Sequence, residues 1–279
     1  MLHLMKIKSI EVSKVLISKK FLNKEIIKIL KKKNKSKIVC LTAYSKSIAQ
    51  IADKYCDIIL VGDSLGMVLY GMKSTREVNI DTMILHAKTV KKFSKKSLVV
   101  FDMPYRSYSN KFVAYKNAKR VIKDTHCDAI KLEGGKKIAN IVKYLTRKKI
   151  PVMGHIGLLP QSSTIFKVKG KKIDQRKKIL DDAKQISRSG VFALILECVV
   201  ENLAKEITKN VTVPTIGIGA SRYCDGQILV IDDMLGMSDF YPKFVKKYSN
   251  LKETIEKSIR NYTKDVKLKR FPYRKNVYK

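Results

Sequence analysis

Eight short apolar runs, most of them separated by amphipathic stretches, limit what this chain can fold into more than any other feature. They lie at 38–43, 58–61, 98–102, 129–132, 151–154, 193–197, 215–218 and 228–231. Each is rich in Val, Ile and Leu and almost continuously apolar. A strand with one wet face would alternate, so these runs predict strands covered on both faces, as in a parallel sheet. Between them, apolar residues recur at helical spacing, as in Met83, Ile84, Ala87 and Val90, or Ile138, Ile141, Val142 and Leu145. Such spacing gives each helix a single buried stripe. Ile179, Leu180, Ala183 and Ile186 mark another helix, with Gly190 placed as its stop. Strands alternating with helices predict an α/β fold, a (β/α)8 barrel in one domain. The gap between the last two runs is too short for a full helix, which keeps a doubly wound open sheet as the alternative. Residues 1–35 predict an added N-terminal helix ending in Lys31, Lys32 and Lys33, and residues 240–279 a helical tail.

At 279 residues and 45% hydrophobic content, the chain can bury a large core. Its apolar runs fall far short of the ~20 residues that cross a bilayer. The first residues alternate Lys with Ile, Leu and Val and offer no secretion leader, so a soluble cytoplasmic protein is expected. Five cysteines, an odd number with no C-x-x-C pair, argue against a disulfide framework and a structural zinc site. A formal charge of +35 invites a nucleic-acid reading. The lysines, however, are spread along the polar sides of amphipathic stretches, as at Lys91–Lys92, Lys95–Lys96 and Lys177–Lys178. Arg forks and aromatic platforms that grip phosphate are not the pattern. A solvated basic surface follows, with no nucleic-acid partner and no membrane.

Polar residues fall at the carboxyl ends of the predicted strands. Asp63 and Ser64 follow the second run, Asp102 ends the third, and Lys131 and Glu133 flank the end of the fourth. His155 follows the fifth and Glu197 ends the sixth. In a barrel those ends meet around one mouth, where barrel enzymes place their chemistry. The carboxylates Asp63, Asp102 and Glu133 suit a hard cation such as Mg²⁺. A keto acid could complete its shell, and the metal would stabilise an enolate. Lys131 could hold the substrate carboxylate. Glu197, its proton affinity raised by burial, could act as general base.

Plainer roles compete for most of these residues. Asp63 beside Gly62, and Glu133 before Gly134, can shape turns. Asp102 can cap a loop, and His155 serves equally well as a structural histidine bonded to backbone. Glu197 is harder to explain that way, because an unpaired buried carboxylate is costly. Gly217 and Gly219 lack the third glycine of a dinucleotide fingerprint and fit close backbone approach to a substrate.

An ordered set of motifs goes further. It comprises Leu-Thr-Ala-Tyr at 41–44, Ile-Leu-Val-Gly-Asp-Ser-Leu-Gly-Met at 59–67 and Lys-Leu-Glu-Gly-Gly at 131–135. Pro-Val-Met-Gly-His-Ile-Gly-Leu follows at 151–158, Pro-Gln-Ser at 160–162, Leu-Glu-Cys-Val at 196–199 and Pro-Thr-Ile-Gly-Ile-Gly-Ala at 214–220. Cys-Asp-Gly-Gln at 224–227 and Asp-Met-Leu-Gly at 233–236 come after them. With these, residues 36–272 resemble the ketopantoate hydroxymethyltransferase family. The resemblance implies a (β/α)8 TIM barrel of the phosphoenolpyruvate-binding kind and a homo-oligomer, typically a decamer. It implies Mg²⁺ held by Asp63 and Asp102 with Glu133 completing its environment, and a keto acid contacted by Ser64, Asp102 and Lys131. Glu197 becomes the proton acceptor, and His155 stands in the family's Gly-His motif. The implied reaction moves a one-carbon unit from 5,10-methylenetetrahydrofolate to 3-methyl-2-oxobutanoate. Ser45, Arg106, Leu159 and Val200 depart from the family pattern. The rival within the fold is another Mg²⁺-dependent, enolate-forming lyase or mutase.

Overall fold

All eight apolar runs become parallel strands in the computed structural model, which describes residues 23–163 and 167–278. The leader-free reading and the start of the added N-terminal helix concern residues 1–22, outside the described residues. The chain divides into two compact units, one ending at Leu229 and one beginning at Val230.

In the first unit the strands are β1 (Ile38–Thr42), β2 (Ile58–Val61), β3 (Leu98–Asp102) and β4 (Ala129–Glu133), then β5 (Val152–Gly157), β6 (Ala193–Glu197), β7 (Thr215–Ile218) and β8 (Gly226–Leu229). They pair in sequence order, and β8 returns to β1 with Ile38 opposite Gly226 and Leu41 opposite Leu229. The sheet is therefore a closed barrel, which excludes the open-sheet alternative. Every residue of β2, β3 and β4 is buried, as two-sided cover requires.

The strand ends differ from expectation in two informative places. β5 runs on through His155 to Gly157, because its backbone keeps pairing with β4 and β6 where hydropathy falters. β8 begins at Gly226, two residues before its apolar run. A Cβ at Gly226 would lie 2.5 Å from the Ile38 carbonyl oxygen, so a residue that reads as a strand breaker is what lets the barrel close.

Helix α1 (Lys24–Lys31) starts at Asn23, whose side-chain oxygen accepts the Ile26 N–H at 2.9 Å. Its buried face, Ile26 and Ile29, joins one apolar cluster with Ile38, Ile58, Leu98, Ala129 and Ala193, the first residues of five strands. α1 thus caps the amino end of the barrel and leaves the carboxyl end as the working face. Around the barrel run α2 (Lys46–Ala52), α3 (Leu65–Tyr70), α4 (Ile80–Phe93), α5 (Lys111–Thr125), α6 (Ala139–Arg147), α7 (Ile173–Arg188) and α8 (Glu201–Asn210). The short α3 is not predicted, because its run from Leu65 to Tyr70 shows no polar face. Gly190, at φ 95°, follows the end of α7 as expected.

Just after α1, the chain is fastened to the β7–β8 turn. Lys33 Nζ lies 2.8 Å from Asp225 Oδ2, the Asn34 N–H donates to Asp225 Oδ1 at 3.0 Å, and the Thr215 N–H donates to Oδ2 at 2.8 Å. Burial opposes ionisation of Asp225, but the Lys33 ammonium and these N–H donors outweigh it and lower its pKa. The Asp225→Asn variant should lose about 2–3 kcal/mol at neutral pH in urea melts. A carboxylate with a lowered native pKa stabilises above its unfolded value, about 4, and loses that contribution as acid protonates it. The gap between variant and wild type should therefore close below that pH.

The second unit contains α9 (Ile231–Leu235), ended by Gly236 at φ 76°, and α10 (Leu251–Lys267). The latter buries no residue and exposes Ile255, Ile259, Tyr262 and Val266 along one side. Among the described residues, no helix is long and apolar enough to cross a membrane.

Candidate active site

The barrel register brings the strand-end residues together. Asp102 stands opposite Lys131, Glu133 opposite His155, and Gly157 opposite Glu197. Lys131 and Glu133 share a strand face because they are two residues apart. Lys131 Nζ donates to Asp102 Oδ2 at 2.7 Å and lies 3.4 Å from Glu133 Oε1. His155 continues the row, with Nδ1 3.3 Å from Glu133 Oε1 and Nε2 3.2 Å from Glu197 Oε2. These ring contacts have ion-pair rather than well-aligned hydrogen-bond geometry. His155 therefore faces two carboxylates, not backbone. Asp63 joins at the other end, where its N–H reaches Asp102 Oδ2 at 3.3 Å. Ser64 Oγ lies 2.8 Å from the Tyr44 hydroxyl.

Gly157 makes this close approach possible. It sits at φ 99°, and a Cβ there would come within 2.3 Å of the Glu197 carbonyl oxygen. Any side chain at Gly157 would push β6 and its terminal carboxylate away from His155.

The row is electrostatically divided. Burial raises the pKa of Asp63, and the charge of Asp102 raises it further; burial also raises Asp102, with Lys131 only partly offsetting the effect. Glu133 goes the other way. Burial is overcome by Lys131 and His155, which bring it down to about 2. His155 is pulled down by burial but lifted by Glu133 to about 9, so the ring is cationic at neutral pH. Lys131 is likewise held charged against burial by Asp102 and Glu133. Glu197 keeps 16% of its side chain exposed, so the sealed apolar setting expected for it is not there.

Asp63 and Asp102 are the two carboxyls of the row whose ionisation burial opposes most, so a cation would favour their charged forms. Asp102 Oδ1 is buried with no hydrogen-bond partner, which is the kind of vacancy in bonding that a hard cation satisfies. Glu133, by contrast, has Oε1 facing Lys131 and His155, while Oε2 accepts the Gln161 N–H at 3.1 Å. Among the described residues, no three His, Cys, Asp or Glu side chains form a ready cage. The side chains thus fit a cation held by the Asp63–Asp102 pair with remaining positions open to water or substrate, as Mg²⁺ commonly is.

Two residues in this site were not singled out from sequence. Gln161 and Tyr108 lie on loops, where no periodicity marks them, and Gln161 entered only as part of Pro-Gln-Ser. Beside the mouth, loops after β2 and β3 line a cavity of about 510 Å³ with Arg76, Asn79, Tyr105 and Arg106. None of the row residues lines it.

The barrel superposes on 2,3-dimethylmalate lyase, a PEP mutase/isocitrate lyase superfamily member, with TM-score 0.59 over 88% of this chain and 84% of that one. At 12% identity this is a likeness of fold alone. A closed barrel of this kind, with acids, a lysine and a histidine gathered at its carboxyl mouth, defines a TIM-barrel enzyme. The family model for ketopantoate hydroxymethyltransferase matches residues 23–274. The chain is 56% identical over 257 residues to 3-methyl-2-oxobutanoate hydroxymethyltransferase of Pelagibacter ubique (strain HTCC1062), covering 92% of this chain and 100% of that relative. It is 49% identical over 256 residues to the protein of the same name from Anaplasma marginale (strain Florida), covering 91% and 92% respectively. The chain belongs to the ketopantoate hydroxymethyltransferase family.

Proposed function

We propose that this mouth converts 3-methyl-2-oxobutanoate to its enolate and adds a hydroxymethyl group from 5,10-methylenetetrahydrofolate, giving 2-dehydropantoate. The observation that carries the reading is the continuous row from Asp63 to Glu197, in which Lys131 and His155 alternate with the carboxylates of Asp102, Glu133 and Glu197. Asp63 and Asp102 would hold Mg²⁺, with Glu133 completing its surroundings; when bound, the ion supplies positive charge against a developing enolate oxygen. Ser64, Asp102 and Lys131 bind and orient the keto acid. Glu197 accepts the C3 proton, and the C–H electron pair passes into the enolate. His155 faces Glu197 Oε2, which leaves Oε1 to take that proton. Water cleaves both C–N bonds of the methylene bridge, releasing formaldehyde and tetrahydrofolate; the enolate carbon then bonds to the formaldehyde carbon as its C=O pair moves to oxygen, and that oxygen takes back the proton held by Glu197. Family likeness extends the proposal to a cytoplasmic homo-oligomer, decameric in its usual form.

Proton NMR of 3-methyl-2-oxobutanoate in D₂O tests the first half-reaction without folate. Loss of the C3 proton signal is expected with protein and Mg²⁺, and the signal should persist when a chelator is added. Adding 5,10-methylenetetrahydrofolate should then yield 2-dehydropantoate. Absence of product under those conditions overturns the reading.

A further inference from the structure

The loop leaving β5 carries one residue that touches two carboxylates of the row, Asp63 and Glu133. Gln161 is 1% exposed. Its Nε2 donates to Asp63 Oδ2 at 2.8 Å and to the Met103 carbonyl at 3.0 Å. Its backbone N–H donates to Glu133 Oε2 at 3.1 Å. Its Oε1 accepts the Tyr108 hydroxyl at 2.5 Å. A primary amide offers two N–H donors and one acceptor oxygen, and all are used here.

The direction of the amide is dictated by its neighbours. The Tyr108 hydroxyl can donate to an amide oxygen but has no reason to face an amide N–H already committed to Asp63 and Met103. A flipped amide would set its oxygen against the Asp63 carboxylate and against the Met103 carbonyl. Tyr108 is itself anchored, its hydroxyl oxygen accepting the Glu133 N–H at 3.3 Å. Tyr108, Gln161, Asp63 and Glu133 thus form one hydrogen-bonded unit joining the ends of β2 and β4 to the loops after β3 and β5.

This unit differs in kind from the contact between Lys131 and Asp102. Lys131 neutralises a carboxylate. The Gln161 amide is neutral, so it fixes Asp63 without bringing a positive charge that would compete with a cation. We propose that Gln161, oriented by Tyr108, is the positioning residue of the cation site, setting the spacing of Asp63 and Glu133 through hydrogen bonds alone. The proposal rests on the reading of this mouth as a divalent-cation site.

The test uses the full chain and Mg²⁺ alone, without either substrate, by titration calorimetry, with Mn²⁺ and electron paramagnetic resonance as a second probe. Gln161→Met keeps the side chain's volume but removes its hydrogen bonds, and Tyr108→Phe removes only the orienting hydroxyl. Removing outer partners of metal ligands commonly weakens binding by about 10–100-fold, and Gln161→Met is expected in that range. Tyr108→Phe should move the affinity in the same direction by less. If Gln161→Met does not fold, Tyr108→Phe decides alone. Wild-type affinity in a folded variant, even with a lowered melting temperature, would mark a merely structural contact and overturn the proposal. Failure of the wild-type chain itself to bind either ion would instead sink the cation-site reading, and this inference with it.

Discussion

Glu197→Gln should abolish deuterium exchange at C3 of 3-methyl-2-oxobutanoate while leaving keto-acid binding intact. The amide keeps the size and reach of the carboxylate, so the contact with His155 Nε2, now 3.2 Å, has an oxygen to accept it. What it lacks is the capacity to take a proton. Loss of a positioned general base commonly lowers a rate by about 10²–10⁴-fold, and the folate-dependent turnover should fall with the exchange. Isotope exchange by NMR separates this step from one-carbon transfer. A variant that exchanges the C3 proton at the wild-type rate would remove Glu197 from the base role.

Lys131→Met carries the largest expected loss of stability. The ammonium is buried and contacts Asp102 at 2.7 Å and Glu133 at 3.4 Å. Removing one partner of a buried ion pair usually costs about 3–5 kcal/mol, because the other charge stays unpaired. Asp63 and Asp102 already resist ionisation, and without Lys131 they would resist it more. A carboxylate with a raised native pKa stabilises at low pH and loses that contribution as pH rises through its native value. The deficit of the variant should therefore widen as pH rises above the ordinary carboxylate value, about 4. Mg²⁺ should stabilise the variant more than the wild type, since a divalent charge can stand in for the missing ammonium. Urea melts across pH, with and without Mg²⁺, measure both effects. A variant as stable as wild type, with no added benefit from Mg²⁺, would contradict the charge balance described for the row.

Much of this was legible in the residues because two-sided burial writes itself as continuous apolar runs. β2, β3, β6 and β7 have the bounds that hydropathy alone gives. The strand-end chemistry was legible for a related reason. A charged residue closing an apolar run must face the mouth, and neighbouring strands then bring Asp102 to Lys131 and Glu133 to His155. Closure of the barrel was less legible, since it depends on Gly226 and Gln227, whose hydropathy says nothing of a strand. Gln161 was hidden for another reason. Its partners lie 28 to 98 positions away in the chain, and a loop glutamine has no period to betray it. Nor could composition reveal that both oxygens of Glu133 are already engaged.

The pairing of β8 with β1 has a consequence for how the molecule comes into being. Ile38 waits for Gly226, so nearly the whole barrel must be synthesised before its first strand finds its second neighbour. Any sheet formed before then has bare hydrogen-bonding rims along β1 and along its last strand, the edges at which parallel sheets are slow and prone to wrong pairing. The bond between Asp225 and the Lys33–Asn34 turn lies at this seam, so the last clasp to be fastened joins the oldest part of the barrel to the newest.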